Sequence, residues 1–119
     1  MDVDKFFALE TPKEKSKRQE KAIAKKIGGR VTSASGAFSH DKGDVVKKRV
    51  VRIEAKRTDK DRLTIRREWL KKIRSEAGIE EIPAMHIEIG DESWFIIRER
   101  EFLGMIDDMQ GGKNGNKKG

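Results

Sequence analysis

Asp44, Glu54 and Lys56 are the residues of this chain best suited to chemistry, two carboxylates and one amine carried on neighbouring short segments. Val50 to Arg57 reads as a strand. Its two-residue period sends Glu54 and Lys56 to one face and Ile53 and Ala55 to the other. Asp44 opens a preceding short strand, Asp44 to Lys47, and the Lys47-Lys48-Arg49 turn can fold the two into a hairpin that sets Asp44 beside Glu54. Hard divalent cations such as Mg²⁺ are held by one or two carboxylates, water and substrate phosphate, which Asp44, Glu54 and the Ala55 carbonyl could complement. Such an ion lowers the pKa of water and stabilises charge on a phosphate under in-line attack. Lys56 would orient the water or neutralise the phosphate as charge develops. The bland alternative for the same pattern is a solvated hairpin of alternating charge.

The elements around the hairpin have their own signals. Thr11-Pro12-Lys13-Glu14 forms a capping box with Pro at the first helical position, so a helix starts there and closes at Gly28-Gly29. Ile23, Ala24 and Ile27 make its thin apolar stripe, and Glu20 falls on the same stripe. A carboxylate facing the sheet either pairs with one of the many cations or joins the other acids as a metal or water ligand. Next come a strand from Arg30 to Ser33 and a Ser/Gly segment through His40. Its hydroxyls and amides, Ser33 and Ser35 among them, either contact phosphate oxygens or make an ordinary loop.

This order of elements resembles the PD-(D/E)xK nuclease superfamily, and within it the small Holliday-junction resolvases of archaea and phages. The matching residues are Glu20, Ser35-Gly36, Gly43-Asp44, Glu54-Ala55-Lys56 and Thr58, over roughly residues 16 to 85. The resemblance implies that Asp44 and Glu54 bind the metal, that Lys56 is catalytic, and that Glu20 completes the site as a catalytic residue or further ligand. It also implies a site role for the loop serine, with Ser35 the best match and Ser33 a rival. Two departures stand out. Gly43 occupies the place of the family's proline, and nothing after Pro83 matches.

The chain has 119 residues, 34% hydrophobic and 41% charged, which bounds it to one domain with a modest core. Its net charge of +7 is clustered, which suits a polyanion bound with release of counterions. The cations expected to meet DNA are Lys42, Lys47, Lys48, Arg49, Arg57, Lys60 and Arg62. Cysteine is absent, which excludes disulfides and thiolate metal sites. The sequence shows no membrane-spanning run, signal-peptide core or nucleotide-binding Gly loop. A soluble, cytoplasmic protein is expected, acting in the host cytoplasm if phage-encoded.

Beyond Lys56 the sequence predicts a polar loop, Thr58 to Arg62, then a helix from about Arg66 to Ala77 closed by Gly78. Trp69, Leu70, Ile73 and Ala77 should face the core. A hairpin follows, with Met85, Ile87 and Ile89 inward and His86 a surface residue, then a short amphipathic helix from Glu99 to Met109. Residues 1–110 should form the domain, and the Gly/Lys/Asn-rich 111–119 a disordered tail.

The expected fold is α/β, a small mixed sheet flanked by helices. The expected function is a Mg²⁺-dependent endonuclease of branched DNA, with Mn²⁺ as a substitute ion and a homodimer to make paired cuts. The competing expectations are a nuclease of the same fold acting on linear or single-stranded DNA in phage replication or repair, and a non-catalytic DNA-binding module. An RNA-binding role is weakened because the chain has no Tyr and its few Phe and Trp look structural.

Overall fold

The computed structural model describes residues 10–32 and 43–117, with side chains through residue 111. Helix α1 (Pro12–Ile27) begins at a true capping box. Glu14 N–H donates to Thr11 Oγ1 at 3.1 Å, and Thr11 N–H to Glu14 Oε1 at 2.9 Å. The helix closes on Gly28, whose φ of 70° suits a residue without a Cβ. Gly29 is needed for another reason. A Cβ there would lie 2.5 Å from the Val46 carbonyl oxygen, so only glycine lets the end of α1 approach the sheet this closely.

Five strands follow in spatial order equal to chain order: β1 (Arg30–Val31), β2 (Val45–Lys47), β3 (Val51–Thr58), β4 (Ile82–Ile89) and β5 (Glu92–Ile97). All neighbours are antiparallel except β3 and β4. These run parallel because helix α2 (Arg67–Glu76) carries the chain across the sheet between them. The mixed sheet flanked by helices is thus the fold expected.

The central strands are buried on both faces, and their alternation divides the core in two. On one face Val45, Ile53 and Ala84 pack beneath Ile23 and Ala24 of α1. On the other, Met85 and Ile87 pack beneath Ile73 of α2, with Leu63 and Trp69 alongside. Glu54 and Lys56 belong to the α2 face by the register that pairs them with Met85 and Ile87. Arg52, also on that face, is tied to Glu81 ahead of β4 by Nε–Oε1 and Nη2–Oε2 contacts of 2.7 and 3.3 Å.

Several expectations change. Helix α2 ends at Glu76 and is capped by Ala77 in extended backbone, not by Gly78, whose N–H is taken by Glu81. Leu70 points to solvent. His86 is no surface residue: it is 6% exposed, its Nδ1 accepts from Gln19 Nε2 at 2.9 Å, and it meets Phe95 edge-on. Trp94 and Phe95 are exposed rather than structural. Helix α3 (Glu99–Lys117) is broken at Gly111, where the tail was expected to begin, and helical backbone resumes to Lys117. No described helix is long and apolar enough to cross a membrane.

Candidate metal-dependent site

Asp44 and Glu54 converge where β2 begins. Val45 pairs with Ile53, and the Asp44 N–H donates to the Ile53 carbonyl at 2.7 Å, after which the backbone of this strand turns away through Gly43. Ala55 N–H, left without a β2 carbonyl, is taken by the Asp44 side chain, Oδ2, at 2.8 Å. A strand residue's N–H and C=O leave on the same edge, so the Ala55 carbonyl faces the Asp44 side too. Gly43 has φ 76°, a backbone conformation that suits glycine and that proline cannot adopt. Thr32, the residue after β1, fixes this corner. Its hydroxyl donates to the Gly43 carbonyl at 2.7 Å and its N–H to the Asp44 carbonyl at 2.9 Å.

Glu54 is buried at 8% exposure and shared by two cations. Lys56 Nζ lies 3.6 Å from Oε2 and Lys72 Nζ 3.3 Å from Oε1. Lys56 also sits over the Trp69 ring, 4.4 Å from its centroid, a cation–π contact that holds the ammonium at the sheet surface. Lys72 reaches Glu76 as well, at 3.5 Å, while Glu76 Oε1 is buried without a hydrogen-bond partner. Burial pulls the Lys72 ammonium down, but the Glu54 and Glu76 charges outweigh it and hold it above its ordinary value.

Glu20 joins the acids from α1. Burial, then the charges of Asp44 and Glu54, push its carboxyl up to about 7. Asp44 is raised by burial, opposed by the Ala55 hydrogen bond and assisted by Glu54. The mutual influence of the three carboxyls is the electrostatic mark of a cluster that gains by binding a cation. Among the described residues, however, no group of three or more acidic or imidazole ligands is already arranged to hold an ion. The donor set fits the carboxylate-plus-water mode of Mg²⁺, with the Glu54 ion pairs able to exchange for the ion.

The expected DNA contacts are scattered. Ser33, Ser35 and Lys42 lie outside the described residues. Lys47, Lys48 and Arg49 are exposed at the closed end of the β2–β3 hairpin, about 10 Å along β3 from Glu54 and not beside it. Arg49 approaches Glu80 at 3.9 Å. Lys60 and Arg62 are exposed in the segment after β3, at the Lys56 end of the strand. Arg57 is taken up in structure, bonded to Glu88 at 3.0 Å and Asp59 at 2.8 Å.

Three contributors escaped the sequence reading. Gln19, not Glu20, is the α1 residue pressed onto the sheet: it is buried and its amide donates to the Lys56 carbonyl at 3.0 Å. Thr32 and Lys72 are the others. Lys72 stands four before Glu76, a helical pairing that gave a signal, whereas Thr32 gave none. No protein-family model, curated protein or solved structure matches this chain. The functional reading therefore rests on its residues and their geometry.

Proposed function

We propose that this protein is a metal-dependent endonuclease of branched DNA, a Holliday-junction resolvase of the PD-(D/E)xK kind working as a homodimer. The observation that carries the reading is the meeting of Asp44, Glu54 and Lys56 where β2 leaves β3, with Glu20 of α1 near enough for their charges to raise its carboxyl. A Mg²⁺ ion held by Asp44, Glu54 and the Ala55 carbonyl would supply positive charge at the phosphate and a water of lowered pKa. Lys56, half-buried and braced by Trp69, is placed to donate to a phosphate oxygen as negative charge accumulates. Glu20, with its carboxyl near neutrality, accepts or holds a proton beside the acids. Lys60 and Arg62 receive the backbone at the Lys56 end, and the Lys47–Arg49 turn receives it farther along the hairpin.

One observation favours a second reading. Glu54 is paired with Lys56 and Lys72, and Asp44 bonds Ala55, as in a structural salt-bridge network of a DNA-binding module. The two readings part on labelled four-way junction, duplex, flap and single-stranded DNAs offered with Mg²⁺ or chelator. Paired symmetric nicks confined to the junction and lost with chelator support the resolvase. Equal cutting of linear DNA retains the nuclease and removes the junction, and binding without cutting supports the module.

A further inference from the structure

Strand β5 ends the sheet, and no described strand lies beyond it. The turn before it decides which of its backbone groups point outward. Gly90 and Asp91 join β4 to β5 as a two-residue loop, with Gly90 at φ 58° and Ile89 opposite Glu92. The pair flanking such a loop exchanges both ladder bonds, and so, by alternation, do Ile87 with Trp94 and Met85 with Ile96. Gly90 agrees with this parity, since its N–H turns the other way and donates to the Thr58 carbonyl of β3 at 3.1 Å. The N–H and C=O groups of Ser93, Phe95 and Ile97 therefore point away from β4, and they have no partner among the described residues.

Natural edge strands are blunted by Lys, Pro or a bulge. β5 has none of these, and its register with β4 is unbroken. It also holds two aromatics in the open, Trp94 at 61% exposure on the α2 face and Phe95 at 53% on the α1 face.

The strand is complementary to itself when reversed. With Phe95 set opposite Phe95 of a second copy, Ser93 meets Ile97 on either side of that pair, so all three outward residues exchange ladder bonds. Trp94 then stands across from Ile96 on the α2 face, and Glu92 across from Arg98 at both ends. Arg98 gives Nε and Nη2 to Glu101 at 2.8 Å each, and its Nη1 remains for a second carboxylate. This register selects a second copy over an unrelated extended peptide.

We infer that β5 pairs antiparallel with β5 of a second copy about a two-fold axis between their Phe95 residues, making one continuous sheet of the two. The contact is isologous, so each pair away from the axis occurs twice. The axis is perpendicular to the sheet, so both copies present Glu54 and Lys56 on one face, roughly 25 Å apart by the spacing of strands. This deepens the two-fold pairing proposed above by naming its surface, and it rests on that reading for its purpose alone, since β5 carries none of the acids of the site.

The test uses the full chain. Sedimentation equilibrium should give a dimer at micromolar concentration. Phe95→Lys and Phe95→Glu each place like charges face to face, and each should weaken the dimer by about tenfold or more. Their equimolar mixture should recover a dimer with one copy of each, which neither a misfolded protein nor a dimer built elsewhere would do. Ser93→Pro removes one outward N–H and leaves the β4 ladder whole, so it should weaken the dimer while circular dichroism stays unchanged. A wild-type monomer, a dimer indifferent to these variants, or a mixture that stays monomeric would each overturn the inference. Metal-dependent cleavage assayed on the same preparations separates the two proposals: a cutting monomer removes this surface alone, and an inert dimer with the expected charge pairing removes the nuclease alone.

Discussion

Glu54 is held by two cations, and that competition sets what a divalent ion must displace. Lys72 is the more exposed of the pair, at 54% against 31% for Lys56, and its contact is worth about 1 kcal/mol or less. Lys72→Met should therefore tighten Mn²⁺ binding by roughly threefold to fivefold in titration calorimetry without DNA; an unchanged or weaker affinity would mean that Lys72 does not compete for the site. Glu20 makes a second prediction. Its folded pKa of about 7 lies above the ordinary value of 4.5, so the folded state binds the extra proton between them. Stability gained from this group is complete below pH 4.5 and is lost as pH rises through 7. Glu20→Gln should remove that decline and gain about 1–3 kcal/mol at pH 8 in chelator, measured by urea unfolding. An equal slope in both proteins would place Glu20 away from the other acids. The β3 part of the candidate site was legible in the sequence because strand period alone puts Glu54 beside Lys56. Gln19 was not, because its burial depends on the exact rotation of α1 over β3, which a thin stripe of Ile23, Ala24 and Ile27 leaves open by one residue.

Between elements, the strongest polar tie is Arg52 of β3 to Glu81 before β4. Both side chains are nearly buried, at 11% and 7% exposure, and Glu81 also accepts from the N–H groups of Gly78 and Arg49. The Arg52 guanidinium, assisted by those amides, holds the Glu81 carboxyl down at about 2. The folded pKa is below the ordinary 4.5, so the stability from this tie is present above pH 4.5 and is lost as pH falls through 2. Glu81→Ala should cost about 3 kcal/mol at pH 7 and abolish that part of the acid sensitivity, followed by thermal melts from pH 7 to pH 2. A parallel acid profile in the two proteins would contradict the assignment. Element boundaries were largely readable: the capping box and Gly28 mark α1, and the alternation from Met85 to Ile89 marks β4. The end of α2 was not, because Gly78 resembles a helix cap in sequence while its N–H is claimed by Glu81 from outside the helix. His86 read as a surface residue because its polar neighbours alternate correctly. Both faces of β4 are in fact covered, by Ile23, Ala24 and Gln19 of α1 on the His86 side and by Ile73 of α2 on the other.

For the whole molecule, the sheet brings the acids together where β2 leaves β3 while cations lie on both sides of them, the arrangement expected of a protein that draws a polyanion towards a metal. If the protein binds DNA as proposed, its net charge of +7 should make that binding fall steeply with salt. The apolar pattern of α3 was visible in sequence; that Trp94 and Phe95 of β5 and Phe102 and Leu103 of α3 are exposed depends on where the chain goes after Ile97, which no local signal dictates. The account turns on whether the carboxylates act on DNA. Cleavage of a labelled four-way junction in Mg²⁺ by the wild-type protein, Asp44→Asn and Glu54→Gln, each checked for folding by circular dichroism and for DNA binding, is the most direct measurement. Metal-dependent cutting by the wild type, with both variants folded, bound to DNA and reduced to background, is the result predicted. Cutting retained in either variant, or absent from the wild type in Mg²⁺ and Mn²⁺ alike, would contradict it.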